Sequence, residues 1–531
     1  MSRYAVIAVV AVAWLLAIAV GSIADAGWAL WIAAALVLPL LLGTWNFLQK
    51  SHSLARNYPL LWYIRTFFEA VRPQIRQYFV ESDTDGTPFD REQRSLVYQR
   101  AKDTIDTMPF GTERNVKEIG YEWINHSIQP VERSLEPPRV VIGNEQCRIP
   151  YSSSLLNISA MSFGSLGAAA TRALNRGAKA GGFAHDTGEG GVSPYHLESG
   201  GDLIWEIGTG YFGCRKPTGD FDASRFRDCA ADERIRMIQV KLSQGAKPGH
   251  GGLLPGRKVT PEIAAIRGVP VGVDCLSPPQ HRAFQSPLGL MEFLAQLREL
   301  SGGKPVGFKL CIGHRWEFLA LCKAMRQSDI YSDFIVIDGK EGGTGAAPVE
   351  FSDHVGTPRR EGLLIAENAL RGCGIRDKIK VGASGKIISG FDMAVTMAMG
   401  ADWCNSARGF MFALGCLQSQ KCHTNECPVG ITTQDPLRQR GLVVEEKAWR
   451  VENFHRHTVD ALLDLVAAAG LEHPAQLSPH QILRRTSSQH TNSLADAYDW
   501  LEPRQLIDGG AMNEWRRDWE RASPDSFLPS V

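Results

Sequence analysis

The stretch Phe334-Ile-Val-Ile-Asp-Gly-Lys-Glu-Gly-Gly-Thr-Gly345 joins a short β-rich apolar run to a glycine-rich turn, and a helical stretch follows it. The same succession recurs through residues 150–415. Its apolar runs are Leu155–Ala160, Gly182–His185, Ile238–Leu242, Gly272–Leu276, Val306–Cys311, Phe334–Ile337, Ile379–Gly382 and Trp403–Ser406. A closed (β/α)8 barrel requires eight such runs, so the sequence predicts an α/β fold of the TIM-barrel type. A doubly wound open sheet is the alternative.

Glycines and polar residues follow these runs, where a barrel has its active site. The segments are Met161–Gly164, Asp186–Gly191, Ser243–Gly249, Ser277–Pro279, Lys309, Asp338–Gly345, Ala383–Gly385 and Ala407–Gly409. Any one of these segments by itself would indicate only an ordinary tight turn. Glycines at so many successive strand ends instead predict backbone N–H groups that approach a flat ring or a phosphate.

Two charged residues stand out among these segments. Late barrel strands commonly build a phosphate site, and Arg408 beside Ser384 and Gly385 fits such a clamp, although alone it would be read as a surface ion-pair residue. Lys309 interrupts the apolar run Val-Gly-Phe-Lys-Leu, where a buried charge needs a partner. That partner is either an anionic flavin or a carboxylate such as Asp338.

Three cysteines, Cys416, Cys422 and Cys427, follow the last run with five and then four residues between them, and Pro428 comes directly after. Converging thiolates bind iron, so this spacing favours an iron-sulfur cluster. Three ligands favour a 3Fe-4S over a 4Fe-4S cluster, for which Cys404 would be the nearest fourth ligand. A zinc site completed by His423, or buried free thiols, are the alternatives.

The composition excludes some partners. Lys+Arg and Asp+Glu both total 57 among 531 residues, so no charge excess indicates nucleic acid. The hydrophobic content of 44% is that of a folded protein, and 11 cysteines without paired spacing indicate a reducing compartment.

The N-terminus differs from the rest. Residues 4–23 and 27–43 are apolar runs separated by a tight turn, which predicts a transmembrane helical hairpin over residues 1–47. A cleaved signal peptide or a buried helical pair are the alternatives. The flanking positive charges place both ends and the catalytic body on the cytoplasmic side of the membrane. These charges are Arg3, Lys50, Arg56, Arg65, Arg72 and Arg76.

The remaining boundaries complete the expected organisation. Residues 48–150 form a helical connector packed by its aromatic side chains, residues 151–440 the barrel with the cysteine loop, and residues 441–531 a C-terminal helical extension. His455 and His457 are expected on a solvent-facing side of that extension.

Six segments together closely resemble the FMN-binding synthase domain of glutamate synthase, over roughly residues 150–440. They are Ile158–Ser165, Gly188–Gly191, Gln244–Gly249, Leu276–Pro279, Gly342–Ala346 and Cys422–Gly430. The resemblance implies an FMN-dependent oxidoreductase acting on CH-NH2 donors. In that family 2-oxoglutarate and ammonia form 2-iminoglutarate, which is reduced to L-glutamate with electrons that enter through an iron-sulfur cluster.

The resemblance also implies residue roles. Gln244, Lys247 and Arg267 would bind the oxo acid, and Lys247 and Glu189 would be catalytic. FMN would be held by Met161, Ser162, Gln239, Lys309, Ser384, Gly385 and Arg408, and the cluster by the three cysteines. Two cations are also what charge pairing with a dicarboxylate demands.

Departures from the family pattern leave several points open. His250 and Leu253 stand where the family usually has an acidic and a polar residue, so a related oxo acid is possible. No glutaminase domain is recognised, so ammonia is expected free or from a partner. The electron donor is expected to be external: ferredoxin, a quinone-linked carrier or a reductase subunit. N-methylglutamate synthase-like amine transfer and a non-catalytic membrane redox module are the competing functions.

Overall fold

The computed structural model describes residues 4–530. Arg3, one of the predicted flanking charges, lies outside these residues. The chain divides into two compact units, with the boundary between Glu92 and Gln93, inside the predicted connector.

The larger unit contains a closed parallel barrel of eight strands, which confirms the predicted fold class. In chain order the strands are Leu156–Ile158, His185–Asp186, Leu203–Ile207, Ile235–Lys241, Val306–Leu310, Phe334–Asp338, Lys380–Ser384 and Trp403–Ser406. The eighth strand pairs with the first, where Cys404 lies opposite Leu156. An open doubly wound sheet would leave these two edges unpaired.

The barrel interior has an apolar layer at its amino end. Met237, Val336 and Trp403 belong to one buried cluster with Ile142 and Tyr151. The last two lie in the strands Val140–Ile142 and Tyr151–Ser153, which pair antiparallel outside the barrel. Side chains alternate along a strand, so the residue two positions after each member of this layer also faces the barrel interior. These residues form the next layer, nearer the carboxyl ends of the strands.

One predicted strand is wrong. Cys275–Leu276 is not a barrel strand but pairs antiparallel with Leu253–Leu254 in the long segment after the fourth strand. The third barrel strand is Leu203–Ile207 instead. Its charged residue Glu206 obscures the apolar run in the sequence, and in the fold that charge is paired with Lys309.

Directly after this strand the sequence contains Gly208-Thr-Gly-Tyr-Phe-Gly213, the glycine spacing of a dinucleotide-binding turn. No helix begins at this turn, since the next helix starts at Ala223. The spacing therefore lacks the strand-turn-helix context that a dinucleotide site needs.

Helices surround the barrel. In this unit they are Ala168–Gly181, Pro194–Leu197, Ala223–Ala230, Pro261–Arg267, Pro287–Leu300, Arg315–Ser328, Val349–His354, Arg359–Gly372, Gly390–Ala398, Arg408–Ala413, Pro436–Gln439, Val444–Ala468, Leu494–Ala497, Gln505–Asp508 and Asn513–Arg521, with 3-10 turns at Gly256–Lys258, Arg376–Lys378 and Pro474–Gln476. Helix Arg91–Ala101 spans the boundary between the units. Helix Val444–Ala468 packs closely on Ala168–Gly181, since a Cβ at Gly177 would lie 2.6 Å from the Ala448 carbonyl oxygen.

The C-terminal segment is not wholly helical. Its strands Ile482–Arg485 and Thr491–Ser493 form a three-stranded sheet with Glu122–Ile124. The solvent-facing position predicted for His455 is wrong: the ring is buried, stacks on Phe183 and hydrogen-bonds to Ser154 Oγ at 2.8 Å. His457 is partly exposed and lies 2.6 Å from Asp103.

The smaller unit begins with helices Ala5–Ile23 and Gly27–Leu48, which are long and apolar enough to span a membrane by length and composition. They pack through small residues: Gly21, Ala29, Ala33 and Gly43 are buried. A Cβ at Gly21 would lie 2.6 Å from Leu30. The large side chains, such as Leu15 and Trp31, point outward.

Helices Ser53–Asn57 and Leu61–Ile75 and a π-helical turn, Arg76–Val80, follow. The connector is therefore ordered at this point, as its aromatic residues predict. It is not packed by them, because no residue of Leu61–Ile75 is buried and Phe67 and Phe68 are exposed.

Candidate functional site

Four polar side chains form a buried network in the upper part of the barrel. Lys309 of the fifth strand is ion-paired with Glu206 of the third. Gln239 of the fourth strand donates from Nε2 to Asp186 Oδ2 at 2.7 Å and to Glu206 Oε2 at 3.2 Å. The partner of Lys309 is therefore a carboxylate, but not Asp338, which the sequence suggested.

Burial and charge act oppositely on this network. Burial, together with the neighbouring Glu206, raises the pKa of Asp186 to about 7. For Lys309 burial lowers the pKa, but the attraction of Glu206, Asp186 and Asp338 outweighs it and the pKa ends above its usual value. The neighbouring carboxylates therefore favour the charged form of this lysine at the centre of the barrel.

A second cluster surrounds Glu189, in the loop after the second strand. Lys241 Nζ donates to Glu189 Oε2 at 3.1 Å. Burial raises the pKa of Glu189, but Lys241, Arg267 and Lys247 together bring it below its usual value. Burial lowers the pKa of Lys247. Three cations around one carboxylate leave an excess of positive charge that suits a substrate with two carboxylates.

The structure brings the predicted substrate-binding residues together. Gln244 Nε2 donates to the Gly343 carbonyl at 3.2 Å, and Lys247 Nζ donates to the Ala346 carbonyl at 2.9 Å. Both therefore lie against the glycine-rich segment after the sixth strand. Arg267, on helix Pro261–Arg267, donates from Nη2 to the Phe163 carbonyl at 3.1 Å.

The predicted FMN residues lie in three places, one of which is the buried network that contains Gln239 and Lys309. Met161 and Ser162 lie in the loop after the first strand, against Gly188, where a Cβ would be 2.6 Å from the Ser162 nitrogen. Arg267 Nη2 lies 3.4 Å from Ser162 Oγ, so this loop touches the Glu189 cluster.

At the late strands, Ser384 Oγ donates to Asp338 Oδ1 at 2.6 Å, and Gly385 has a φ of +126° that favours glycine. Arg408 donates to the Glu341 carbonyl, and burial lowers its pKa to about 10. A Cβ at Gly343 would lie 3.0 Å from the Arg408 side chain. These residues form a cationic cradle with glycine backbone, as a phosphate site requires.

Two buried side-chain atoms of the site, Gln239 Oε1 and Arg267 Nε, have no hydrogen-bond partner among the described residues. A buried acceptor without a donor, such as Gln239 Oε1, costs free energy, so a group that donates to it is expected. An N–H group of a flavin ring has the required chemistry, and the cradle at Gly385 and Arg408 suits its phosphate.

The three cysteines lie near one another, since the charges of Cys422 and Cys427 both act on Cys416. Burial raises the pKa of Cys427, but backbone N–H groups and Thr432 outweigh it and lower the pKa overall. A stabilised thiolate suits iron, and Cys427 alone of the three has one, since burial raises the pKa of Cys416 to about 12 and raises that of Cys422. Among residues 4–530, however, no three His, Cys, Asp or Glu side chains are placed closely enough to hold a metal ion.

Two side chains connect the cysteine loop to the loop that holds Met161 and Ser162. Buried Lys258 donates from Nζ to the Ser165 carbonyl at 2.9 Å and to the Cys422 carbonyl at 3.0 Å. Gln434 Nε2 donates to the carbonyls of Gly164 and Leu166, each at 2.9 Å. The cysteine loop is thus joined directly to one edge of the candidate cofactor site.

The alternative ligands lie elsewhere. Cys404 is buried in the eighth barrel strand, where its thiol interacts with Thr396, and burial raises its pKa to about 12. His423 is exposed in the cysteine loop. A four-ligand site that includes Cys404 is not formed by this arrangement.

Sequence reasoning missed Lys241 and Glu206, and it placed Asp186 in a strand-end segment without giving it a role. Lys241 lies two residues after Gln239 on the fourth strand, so both face the interior. The argument applied to Lys309, that a charge in an apolar strand needs a partner, could have found both Lys241 and Glu206.

The two departures from the family pattern lie at the mouth of the site. His250 contacts the Phe351 ring edge-to-face, with centroids 5.2 Å apart. Leu253 is opposite Leu276 in the short antiparallel pair, and both are exposed. Leu253 follows Gly252, where a Cβ would collide with Glu189 Oε1 at 2.0 Å. This part of the mouth is therefore apolar and close to Glu189.

Comparison with known proteins identifies the family of the chain. Residues 122–472 match the family described as a conserved region in glutamate synthase. A glutamate synthase large subunit-like protein of Bacillus subtilis is 37% identical over 495 residues, which cover 85% of this chain and 94% of that protein. An archaeal glutamate synthase [NADPH] of Methanocaldococcus jannaschii is 35% identical over 319 residues, which cover 59% of this chain and 58% of that protein.

Among solved structures, a mandelate oxidase overlaps with a TM-score of 0.40 at 13% identity and covers 81% of this chain and 97% of that chain. The family assignment rests on the sequence matches, which extend over the barrel, the Glu189 cluster and the cysteine loop. This chain belongs to the glutamate synthase family.

Proposed function

We propose that the chain reduces the imine of 2-oxoglutarate, or of a related dicarboxylic oxo acid, to the amino acid. The observation that supports this proposal is the group of Lys241, Lys247 and Arg267 around Glu189. A scaffold or a non-catalytic redox module has no need of so many cations beside a single carboxylate, because each buried cation costs desolvation free energy.

The protein's own residues would bind the substrate and move its protons. Lys247 and Arg267 pair with the two substrate carboxylates, and Gln244 supplies an amide to one of them. Glu189, held ionised by the surrounding cations, accepts a proton from the nitrogen of the attacking ammonia and passes it to the former carbonyl oxygen, which gives the carbinolamine. Lys247, whose pKa burial lowers, then protonates this hydroxyl group so that it leaves as water and the iminium forms.

FMN would be held by Met161, Ser162, Gln239 and Lys309 at its ring and by Ser384, Gly385 and Arg408 at its phosphate. When bound and reduced, FMN supplies a hydride to the imine carbon. The positive charge of Lys309 would stabilise the negative charge on the reduced flavin ring.

Cys416, Cys422 and Cys427 would hold an iron-sulfur cluster, with 3Fe-4S favoured because Cys404 lies in the barrel wall. The contacts of Lys258 and Gln434 support electron entry by this route, since they join the cysteine loop to the Met161 loop. The donor would be an external protein, ferredoxin or a reductase subunit.

The first two helices would anchor the chain in a membrane, with the catalytic unit on the cytoplasmic side. Their outward-facing large side chains and small-residue contact are what a bilayer favours. Lys50 and Arg56, directly after the second helix, support the cytoplasmic orientation.

The test is an anaerobic half-reaction with the full chain purified in detergent. The flavin is reduced chemically, and 2-oxoglutarate and ammonium are added while its visible band is recorded. We expect reoxidation with stoichiometric glutamate. Lys247→Met should abolish reoxidation while FMN stays bound, and the exposed Lys102→Met is the matched control. A flavin that remains reduced with every oxo acid tested would contradict the proposal.

A further inference from the structure

We infer that helix Leu61–Ile75 lies on an anionic phospholipid surface, with its axis along the membrane plane and its apolar face in the lipid. This inference rests on the proposed membrane anchoring by the first two helices and adds a second, peripheral lipid contact.

The first argument is the pattern of the helix. At 100° per residue, Leu61, Ile64, Phe67, Phe68 and Ile75 fall within an arc of roughly 120°. Thr66, Glu69 and Gln74 lie on the remaining surface. A helix with one apolar and one polar face, rich in aromatic residues and arginine, is typical of a membrane interface.

The second argument is that the apolar face is exposed among the described residues of the smaller unit. Ile64, Phe67 and Phe68 are 55%, 61% and 56% exposed, and no residue of this helix is buried. In water such a row of large apolar side chains is unfavourable, because burial of apolar surface is what the hydrophobic effect favours. The face therefore needs an apolar phase against it.

The third argument is the level at which the helix begins. Asn46, in the last turn of helix Gly27–Leu48, donates from Nδ2 to the Pro59 carbonyl at 2.8 Å, and this contact is buried. Leu60 packs beside Gly43, since a Cβ there would lie 3.4 Å from Leu60. The start of helix Leu61–Ile75 is thus held at the end of the apolar span, where a bilayer has its headgroups.

The segment between helices Gly27–Leu48 and Leu61–Ile75, which includes the short helix Ser53–Asn57, is held by its own contacts. Gln49 Oε1 accepts from the His52 nitrogen at 2.8 Å, and Gln49 Nε2 donates to the His52 carbonyl at 2.8 Å. The His52 ring contacts the Trp62 ring in a tilted arrangement, with centroids 4.9 Å apart. A tryptophan at this level is typical of a membrane interface.

Charge identifies the lipid as anionic. Arg65 and Arg72 lie along one border of the apolar face, with Glu69 the one acidic residue between them. Arg76 follows in the π-helical turn, where it pairs with Glu81 at 3.0 Å. Arg65 and Glu69 are 3.4 Å apart and mostly exposed. Arginines at such a border reach phosphate groups while their stems stay in the apolar layer.

The experiment uses the full chain in vesicles of phosphatidylcholine with phosphatidylglycerol. A nitroxide is attached through an unnatural amino acid in place of Phe68, Thr66 or Leu15, one position per sample. Power saturation then measures collision with oxygen, which concentrates in lipid, and with a water-soluble nickel complex. We expect the oxygen-to-nickel ratio to be several-fold higher at positions 68 and 15 than at position 66.

The outcomes separate this inference from the anchoring. A lipid signal at position 15 with nickel access at position 68 equal to that at position 66 would overturn the inference and leave the anchoring intact. Shielding of position 68 from both reagents would overturn it in favour of a protein contact, such as a second copy. Access of the nickel complex to position 15 would contradict both this inference and the proposed membrane anchoring.

The arginines are tested in the same assay. Omitting phosphatidylglycerol should lower the ratio at position 68 in the native chain, and the variant Arg65→Gln/Arg72→Gln/Arg76→Gln should lose this dependence on lipid charge. An equal ratio in both vesicle types for the native chain would overturn the assignment of an anionic surface.

Discussion

Lys309 and Glu206 form the ion pair at the centre of the barrel, and each is almost completely buried. Removal of Lys309 is costly because Glu206 then loses its closest cation and keeps only Lys241, 3.9 Å away. We expect Lys309→Met to destabilise the flavin-free protein by about 3–5 kcal/mol. The double variant Lys309→Met/Glu206→Gln should recover much of this loss.

The measurement is the apparent midpoint of urea unfolding by circular dichroism. The exposed pair Arg172 and Glu198 offers the control, since Arg172→Met should change the midpoint little. Equal midpoints for the single and double variants would contradict the view that Glu206 without its Lys309 partner causes the loss.

Asp186 should make stability depend on pH. Its pKa is about 7 in the folded chain, against about 3.9 in an unfolded one. Below the lower value both states hold the proton. Between the two values only the folded state holds it, so the free energy of unfolding falls as the pH rises, and the loss is complete above about 7.

Asp186→Asn should therefore flatten the decline of the melting temperature of the flavin-free protein between about pH 5 and pH 7.5. The control is Asp220→Asn, because hydrogen bonds from Thr218 and Arg282 hold the pKa of exposed Asp220 below its usual value. An unchanged decline in Asp186→Asn would show that another group titrates.

At the scale of elements, the cysteine loop depends on two hydrogen bonds from Gln434 to the first-strand loop. Gln434→Leu removes both donors, at a cost of about 1 kcal/mol for each. We expect faster amide hydrogen exchange through residues 416–434 and through residues 161–167, because each loop holds the other. Exchange in the eighth barrel strand should stay unchanged.

Gln420→Leu is the matched control, since Gln420 is an exposed glutamine of the same loop. Accelerated exchange in the cysteine loop alone would mean that the first-strand loop is held by other contacts, such as that of Lys258 with Ser165.

For the whole molecule, the proposed anchoring predicts that the chain stays in the membrane fraction after an alkaline carbonate wash. Leu15→Arg with Leu38→Arg places charges on the outward faces of both apolar helices, which are exposed at these positions. A charge at the bilayer centre costs about 2.5–3.5 kcal/mol on insertion scales, so much of the variant should be released.

Ile105→Arg is the control, because Ile105 is also an exposed apolar residue but lies outside the hairpin. Native protein found in the wash supernatant would contradict the anchoring and favour a cleaved leader or a soluble helical pair.

The sequence by itself determined the barrel and the chemical types of its site residues. A strand, its turn and the following helix are local, so their periodicity is visible in the chain, and seven of the eight runs predicted lie on barrel strands. The motifs at strand ends identify the candidate site for the same reason, since every parallel strand delivers its carboxyl end to one face.

The tertiary structure decided which charges meet. Lys309 and Glu206 are 103 residues apart, and nothing local to either indicates the other. Without that pairing, the sequence of Leu203–Ile207 does not indicate a barrel strand. The sequence also does not indicate that Lys241 lies next to Glu189. Packing also decided that His455 is buried and that Phe67 and Phe68 are not, because burial depends on what a fold places opposite a side chain.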